Sequence, residues 1–202
     1  MSSNTSSSSS TLPIVIGLVA ILGIALAIAL LGGDDTPASD FDLGTVATPT
    51  IEGEPVATGA VGVAAPRVSG EALLGEGDHE IPAVGDATMI VFLAHWCPHC
   101  NDEVPVINQW LAEGGLPEGT QVRAVATGID PTAANYPPDT WLQERDWAVP
   151  TLIDPDGSIA DAYGVNSYPY WVFVDADGTV VGHGGAQTQA DMAAIAAQLA
   201  ER

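Results

Sequence analysis

FLAHWCPHCNDEVP, residues 92–105, runs from an apolar stretch directly into a cysteine pair and on into a helical pattern. Cys97 and Cys100 are the only cysteines in 202 residues. Upstream, MIVFL (89–93) is a short apolar run that fits a buried strand. Downstream, Val104, Ile107 and Leu111 recur at helical spacing, and Gly114-Gly115 ends the pattern. Cys97 therefore falls where a strand stops and a helix starts. Pro98 suits the first helical position, where its missing N–H costs nothing. A sulfur at that point meets unpaired backbone N–H groups and the positive end of the helix dipole, and both favour its anion. The thiolate is the attacking species in disulfide exchange. His99 adds a second polar or cationic group beside the sulfur. Cys100, one turn on, is placed to attack a mixed disulfide at Cys97 and release the substrate.

Three other readings of the pair are weighed. Half of a zinc site would need two more ligands, and there is no second cysteine pair; the one suitable histidine spacing, His95/His99, is interleaved with the cysteines. A purely structural bridge would close too small a loop to restrain the unfolded chain much. A copper-handling site would use soft sulfur and imidazole, with His183 as a conceivable third ligand.

The charge balance excludes some partners. The chain carries 26 acids, four arginines and no lysine, a formal net charge of -22. Nucleic acid is not a partner for such a surface, because phosphate binding needs a basic patch. Anionic lipid surfaces repel it for the same reason. With 47% hydrophobic residues the chain is not generally disordered.

Organisation follows from composition shifts. Residues 1–11 form a short polar tail without a basic residue. Residues 12–31 contain IVIGLVAILGIALAIALL (14–31), an uncharged apolar run long enough, at about 1.5 Å per residue, to cross a bilayer core. This predicts an uncleaved transmembrane anchor; a cleaved signal peptide competes, but the basic n-region and a convincing cleavage site are missing. A short tail inside and the domain outside is the simplest orientation. Asn4-Thr5-Ser6 fits a glycosylation sequon but would then face the cytosol. Residues 32–65 hold six acids and no base, with no periodicity, and read as an extended linker. Residues 66–202 read as one domain.

Within that domain strand and helix signals alternate. VRAVAT (122–127) is a β-type run, PPDTWLQERDW (137–147) a short helix, TLID (151–154) a brief strand, and SIADAYG (158–164) a helix closed by Gly164. YWVFVDADGTVVGHGG (170–185) reads as a hairpin around a D-A-D-G turn. TQADMAAIAAQLAE (188–201) is a closing helix. Thr188 and Asp191 suggest a capping box, and Met192, Ile195, Ala196 and Leu199 its buried face.

The order β-α-β-α-β followed by β-β-α is the thioredoxin arrangement: an α/β fold with a central mixed sheet flanked by helices. FLAHWCPHCNDEVP, with its W-C-x-x-C and following E-x-P, resembles the TlpA/ResA-like branch of membrane-anchored thioredoxin-fold thiol–disulfide oxidoreductases. VPTLIDPDGSIADAYGV and SYPYWVFVDADGTVV extend the resemblance from about Pro66 to the C-terminus. It implies that Cys97 attacks, Cys100 resolves, and the two form a redox-active disulfide. It implies that Trp96 shields the pair and that Glu103 sits near the thiols to tune or relay protons. Pro169 would be a cis-proline facing the sulfurs, freeing the backbone of Tyr168 for a substrate chain. Residues 66–88 would supply extra N-terminal strands. The Pro98-His99 pair departs from the reductive members of this branch and looks like that of the DsbA oxidases. A histidine there stabilises the thiolate, hence the reduced form, and raises the potential.

These features predict an extracytoplasmic oxidoreductase on the cytoplasmic membrane, reductant or mild oxidant. It would exchange with cysteine-containing partner proteins and with a membrane or soluble redox partner. A copper metallochaperone on the same residues is the alternative. No organic or metal cofactor is implied.

Overall fold

A computed structural model describes residues 41–83 and 85–202. The expected membrane anchor lies outside the described residues; among these, no helix is long and apolar enough to cross a membrane.

The wholly apolar run becomes β4 (Ala87–Leu93), buried at every position. It is the centre of a five-stranded sheet of order β6-β5-β4-β7-β8. β5 (Thr120–Ala126) and β6 (Thr151–Ile153) run parallel to it on one side. The hairpin β7 (Tyr170–Val174) and β8 (Val180–Gly184) runs antiparallel on the other. A central strand covered on both faces needs no polar alternation, which is why β4 reads as a continuous apolar block.

Its side chains still divide by the two-residue period. Met89, Val91 and Leu93 share one core with Val104 and Ile107 of α1 (Pro98–Ala112) and Met192, Ala196 and Leu199 of α4 (Gln189–Ala200). Ile90 and Phe92 join the other core, with Leu152, Ile159 and Tyr163. Ile159 belongs to α3 (Ser158–Ala162), and α2 (Pro138–Gln143) lies between β5 and β6 in the chain. The predicted capping box at Thr188 and Asp191 is present in both directions.

A second, three-stranded antiparallel sheet holds β1 (Thr50–Glu52), β2 (Arg67–Glu71) and β3 (Asp78–Ile81). β2 and β3 lie where extra strands were expected. β1 lies inside the stretch expected to be linker, so the folded domain begins upstream of Pro66. Ile51 pairs with Val68, and Val56 is buried with its N–H on the Ala162 carbonyl at 2.8 Å. Further on, Gly62 N–H donates to the Val180 carbonyl and Val180 N–H to that of Val63. Backbone bonds of this kind leave no hydrophobic period, so composition alone made the segment look structureless. Gly164 takes part in the docking: it has φ +64°, and a Cβ there would sit 2.5 Å from the Val56 carbonyl oxygen.

Candidate active site

The dithiol sits at the corner predicted for it. β4 ends at Leu93, and Cys97 occupies the N-cap of α1 with extended backbone and Pro98 following. No side chain caps this helix start, so the first-turn N–H groups remain available to a sulfur. Both cysteines are thiols. Cys97 is 6% exposed and Cys100 fully buried. Ala94 N–H points at Cys100 Sγ at 3.5 Å. Burial pushes the Cys100 thiol far above its ordinary value; Cys97 and Glu103 push the same way, against the pull of the Ala94 N–H.

The peptide bond Tyr168–Pro169 is cis, and the Cys97 thiol donates to the Tyr168 carbonyl at 3.3 Å. Residues 71 positions apart in the chain thus meet at the Cys97 sulfur. Trp96 is 40% exposed. Its indole N–H donates to the Gly128 carbonyl at 2.7 Å, and its ring stands edge-on to Tyr168 at 5.9 Å. A cleft of about 230 Å³ opens beside Tyr168, with Thr127, Gly128, Ile129, Asp156 and Asp161 among its walls. Pro98 and His99 are exposed on the first turn of α1.

Glu103 is 3% exposed. Its Oε1 accepts from Trp171 Nε1 at 2.6 Å and Gln187 N at 2.9 Å, while Oε2 is buried without a partner. Burial raises its carboxyl above the usual range, and the Trp171 and Gln187 bonds offset part of that rise.

Among the described residues nothing supports the copper reading. His183 turns Nδ1 to the Tyr170 hydroxyl at 3.1 Å, and the described residues include no group of three or more His, Cys, Asp or Glu able to hold a metal ion.

Sequence reasoning missed a polar network behind the dithiol. His95 is 1% exposed; its ring meets the Ala134 carbonyl at 2.7 Å and the Asp130 N–H at 3.2 Å. Asn101 bridges the Cys97 carbonyl, Trp141 and Arg145. No spacing signal announces such residues, because apart from Cys97 their partners lie 35 to 44 positions away.

A cysteine pair at the start of a helix, facing a cis-proline loop on a mixed five-stranded sheet, defines the thioredoxin-fold class of dithiol proteins. The chain belongs to the AhpC/TSA family, whose profile matches residues 61–183. It is 28% identical over 96 residues to the thiol-disulfide oxidoreductase ResA of Oceanobacillus iheyensis, covering 48% of this chain and 47% of that protein. The chain thus spans about half the length of the curated relatives it matches. A secreted Mycobacterium tuberculosis disulfide oxidoreductase, described as homologous to E. coli DsbE, superposes with TM-score 0.53 at 26% identity; the match covers 65% of this chain and 95% of that one. A thiol:disulfide interchange protein of Chlorobium tepidum superposes with TM-score 0.57 at 22% identity, covering 69% and 97%. The likeness is thus to the ResA/TlpA-like branch that the sequence resembles.

Proposed function

We propose that this protein is an extracytoplasmic thiol–disulfide oxidoreductase that exchanges Cys97–Cys100 with cysteines of partner proteins. The observation that carries the reading is the Cys97 thiol on the Tyr168 carbonyl, 3.3 Å away, at a cis-proline. An incoming extended chain pairs with the backbone of Tyr168 and so brings its disulfide to Cys97. The Cys97 thiolate attacks one substrate sulfur, and the other leaves as a thiolate. Cys100 then loses its proton, attacks Cys97 Sγ and expels the first substrate sulfur. Two electrons pass to the substrate, and Cys97–Cys100 becomes a disulfide; the reverse sequence oxidises a substrate dithiol.

Cys100 is hard to ionise, since burial opposes its anion. Glu103, buried nearby with one free carboxylate oxygen, is the group suited to take that proton. Trp96 shields the sulfurs from the side of the Tyr168 loop. The relative described as a secreted disulfide oxidoreductase supports a site outside the cytoplasm, where protein disulfides persist. The apolar run at 14–31 would tether the domain to the membrane.

Turnover is the test. The protein should accelerate reduction of a disulfide-bonded protein by dithiothreitol, and Cys97→Ser should abolish the acceleration. Undiminished acceleration by the Cys97→Ser variant ends the reading.

A further inference from the structure

Directly after the dithiol, Asn101 occupies a position where its closest partners are chemically committed, the Asn135 amide standing farther off at 3.4 Å. Its Oδ1 faces Trp141 Nε1 at 2.8 Å and Arg145 Nη2 at 2.8 Å, groups that only donate. Its Nδ2 faces the Cys97 carbonyl at 2.9 Å and, more distantly, the His95 carbonyl at 3.5 Å, which only accept. The amide orientation is therefore fixed by its surroundings. The Cys97 carbonyl also accepts Asn101 N–H at 3.1 Å, so one side chain and its own backbone grip the N-cap residue together.

Arg145 is well placed to act through that amide. Its Nη1 donates to the Trp141 carbonyl at 2.8 Å, and the guanidinium lies over the Trp141 ring at 5.5 Å. Its backbone carbonyl accepts from Asn108 of α1 at 2.7 Å. The one ion pair among the described residues is its contact with Glu144 at 4.0 Å, whose side chain is 62% exposed. Among the described residues, its one ion-pair partner is this exposed carboxylate. In a chain with four basic side chains and 26 acids, this cation is linked to the reactive turn by two consecutive hydrogen bonds.

We propose that Asn101 and Arg145 are positioning residues for the reactive turn. The guanidinium polarises the Asn101 amide, the amide polarises the Cys97 carbonyl, and the reduced dithiol is thereby favoured over the disulfide. Hydrogen bonds in series polarise one another, and both links here are part-buried. A peptide dipole held this way increases the positive field at the helix start, beside the Cys97 sulfur. Stabilising the reduced form makes the pair more oxidising. The proposal rests on the exchange reading above.

The equilibrium to measure is disulfide plus two glutathiones against dithiol plus glutathione disulfide, with the full chain. Arg145→Met removes the charge and should lower the equilibrium constant about three- to tenfold, equivalent to roughly 15–30 mV at 29.6 mV per tenfold. Arg145→Lys keeps the charge and should stay within about twofold of wild type. Asn101→Asp keeps the acceptor for Trp141 and Arg145, removes the donor to Cys97 and adds a negative charge. It should fall at least as far as Arg145→Met. A purely structural role would lower the unfolding midpoint of Arg145→Met and leave its equilibrium unmoved, and that result overturns the proposal. If Arg145→Met does not fold, Asn101→Asp decides alone: a constant within twofold of wild type overturns the proposal. A wild-type protein that fails to equilibrate with glutathione overturns the exchange reading itself, an outcome distinct from equal constants in all variants.

Discussion

Glu103 shows how much one buried side chain can hold. It satisfies the indole of Trp171 and the backbone of Gln187 with one oxygen and leaves the other bare. Burial raises its carboxyl above the ordinary value of 4.5. The folded chain therefore keeps this proton to higher pH than the unfolded chain does. Its contribution to stability is complete below the unfolded value and is lost as pH rises through the folded one. Glu103→Gln cannot ionise and so escapes the loss. Relative to wild type, the variant should gain stability as pH rises above the ordinary value of 4.5, read as a shift in urea midpoint. A difference that stays constant over that rise contradicts the assigned burial cost. Glu103 was legible in the sequence through the E-x-P that follows the cysteines. Asn101, Arg145 and His95 were not, since Asn, Arg and His at such separations carry no pattern until the fold brings them together.

At the scale of elements, the strands and helices were read correctly where burial imposes a period or a cap. β4 is one case and α4, with its Thr188 cap, another. β1 escaped because three residues leave no period, and its place is set by pairing with β2. The end of α1 was legible as a glycine pair, but only the structure separates the two glycines. Gly114 takes the turn at φ +77°. Gly115 has another reason: a Cβ there would lie 2.0 Å from Nε1 of Trp110, which is 3% exposed in the core. Gly115→Ala should therefore force Trp110 to move and cost about 1–3 kcal/mol, the usual range for overpacking. Denaturant unfolding measures it, and a change within about 0.5 kcal/mol, typical of neutral surface positions, would show that the indole yields freely.

Across the whole molecule, the site exists only because distant parts converge. The end of β4 sets Cys97. The approach to β7 supplies Tyr168 and Pro169. The loop after β5 receives the Trp96 indole at Gly128 and the His95 ring at Asp130 and Ala134. The cysteine pair and the cis-proline segment were visible as local motifs, whereas their 3.3 Å meeting is a product of sheet order. On the proposed function, Cys97 at this meeting point is the sulfur that partners reach first. Mass spectrometry of the full chain after exposure to glutathione disulfide tests it directly. Cys100→Ser should accumulate one glutathione on Cys97, while Cys97→Ser remains unmodified because Cys100 is fully buried. Adduct formation on Cys100 in the Cys97→Ser protein, with Cys97 inert in its counterpart, would contradict it.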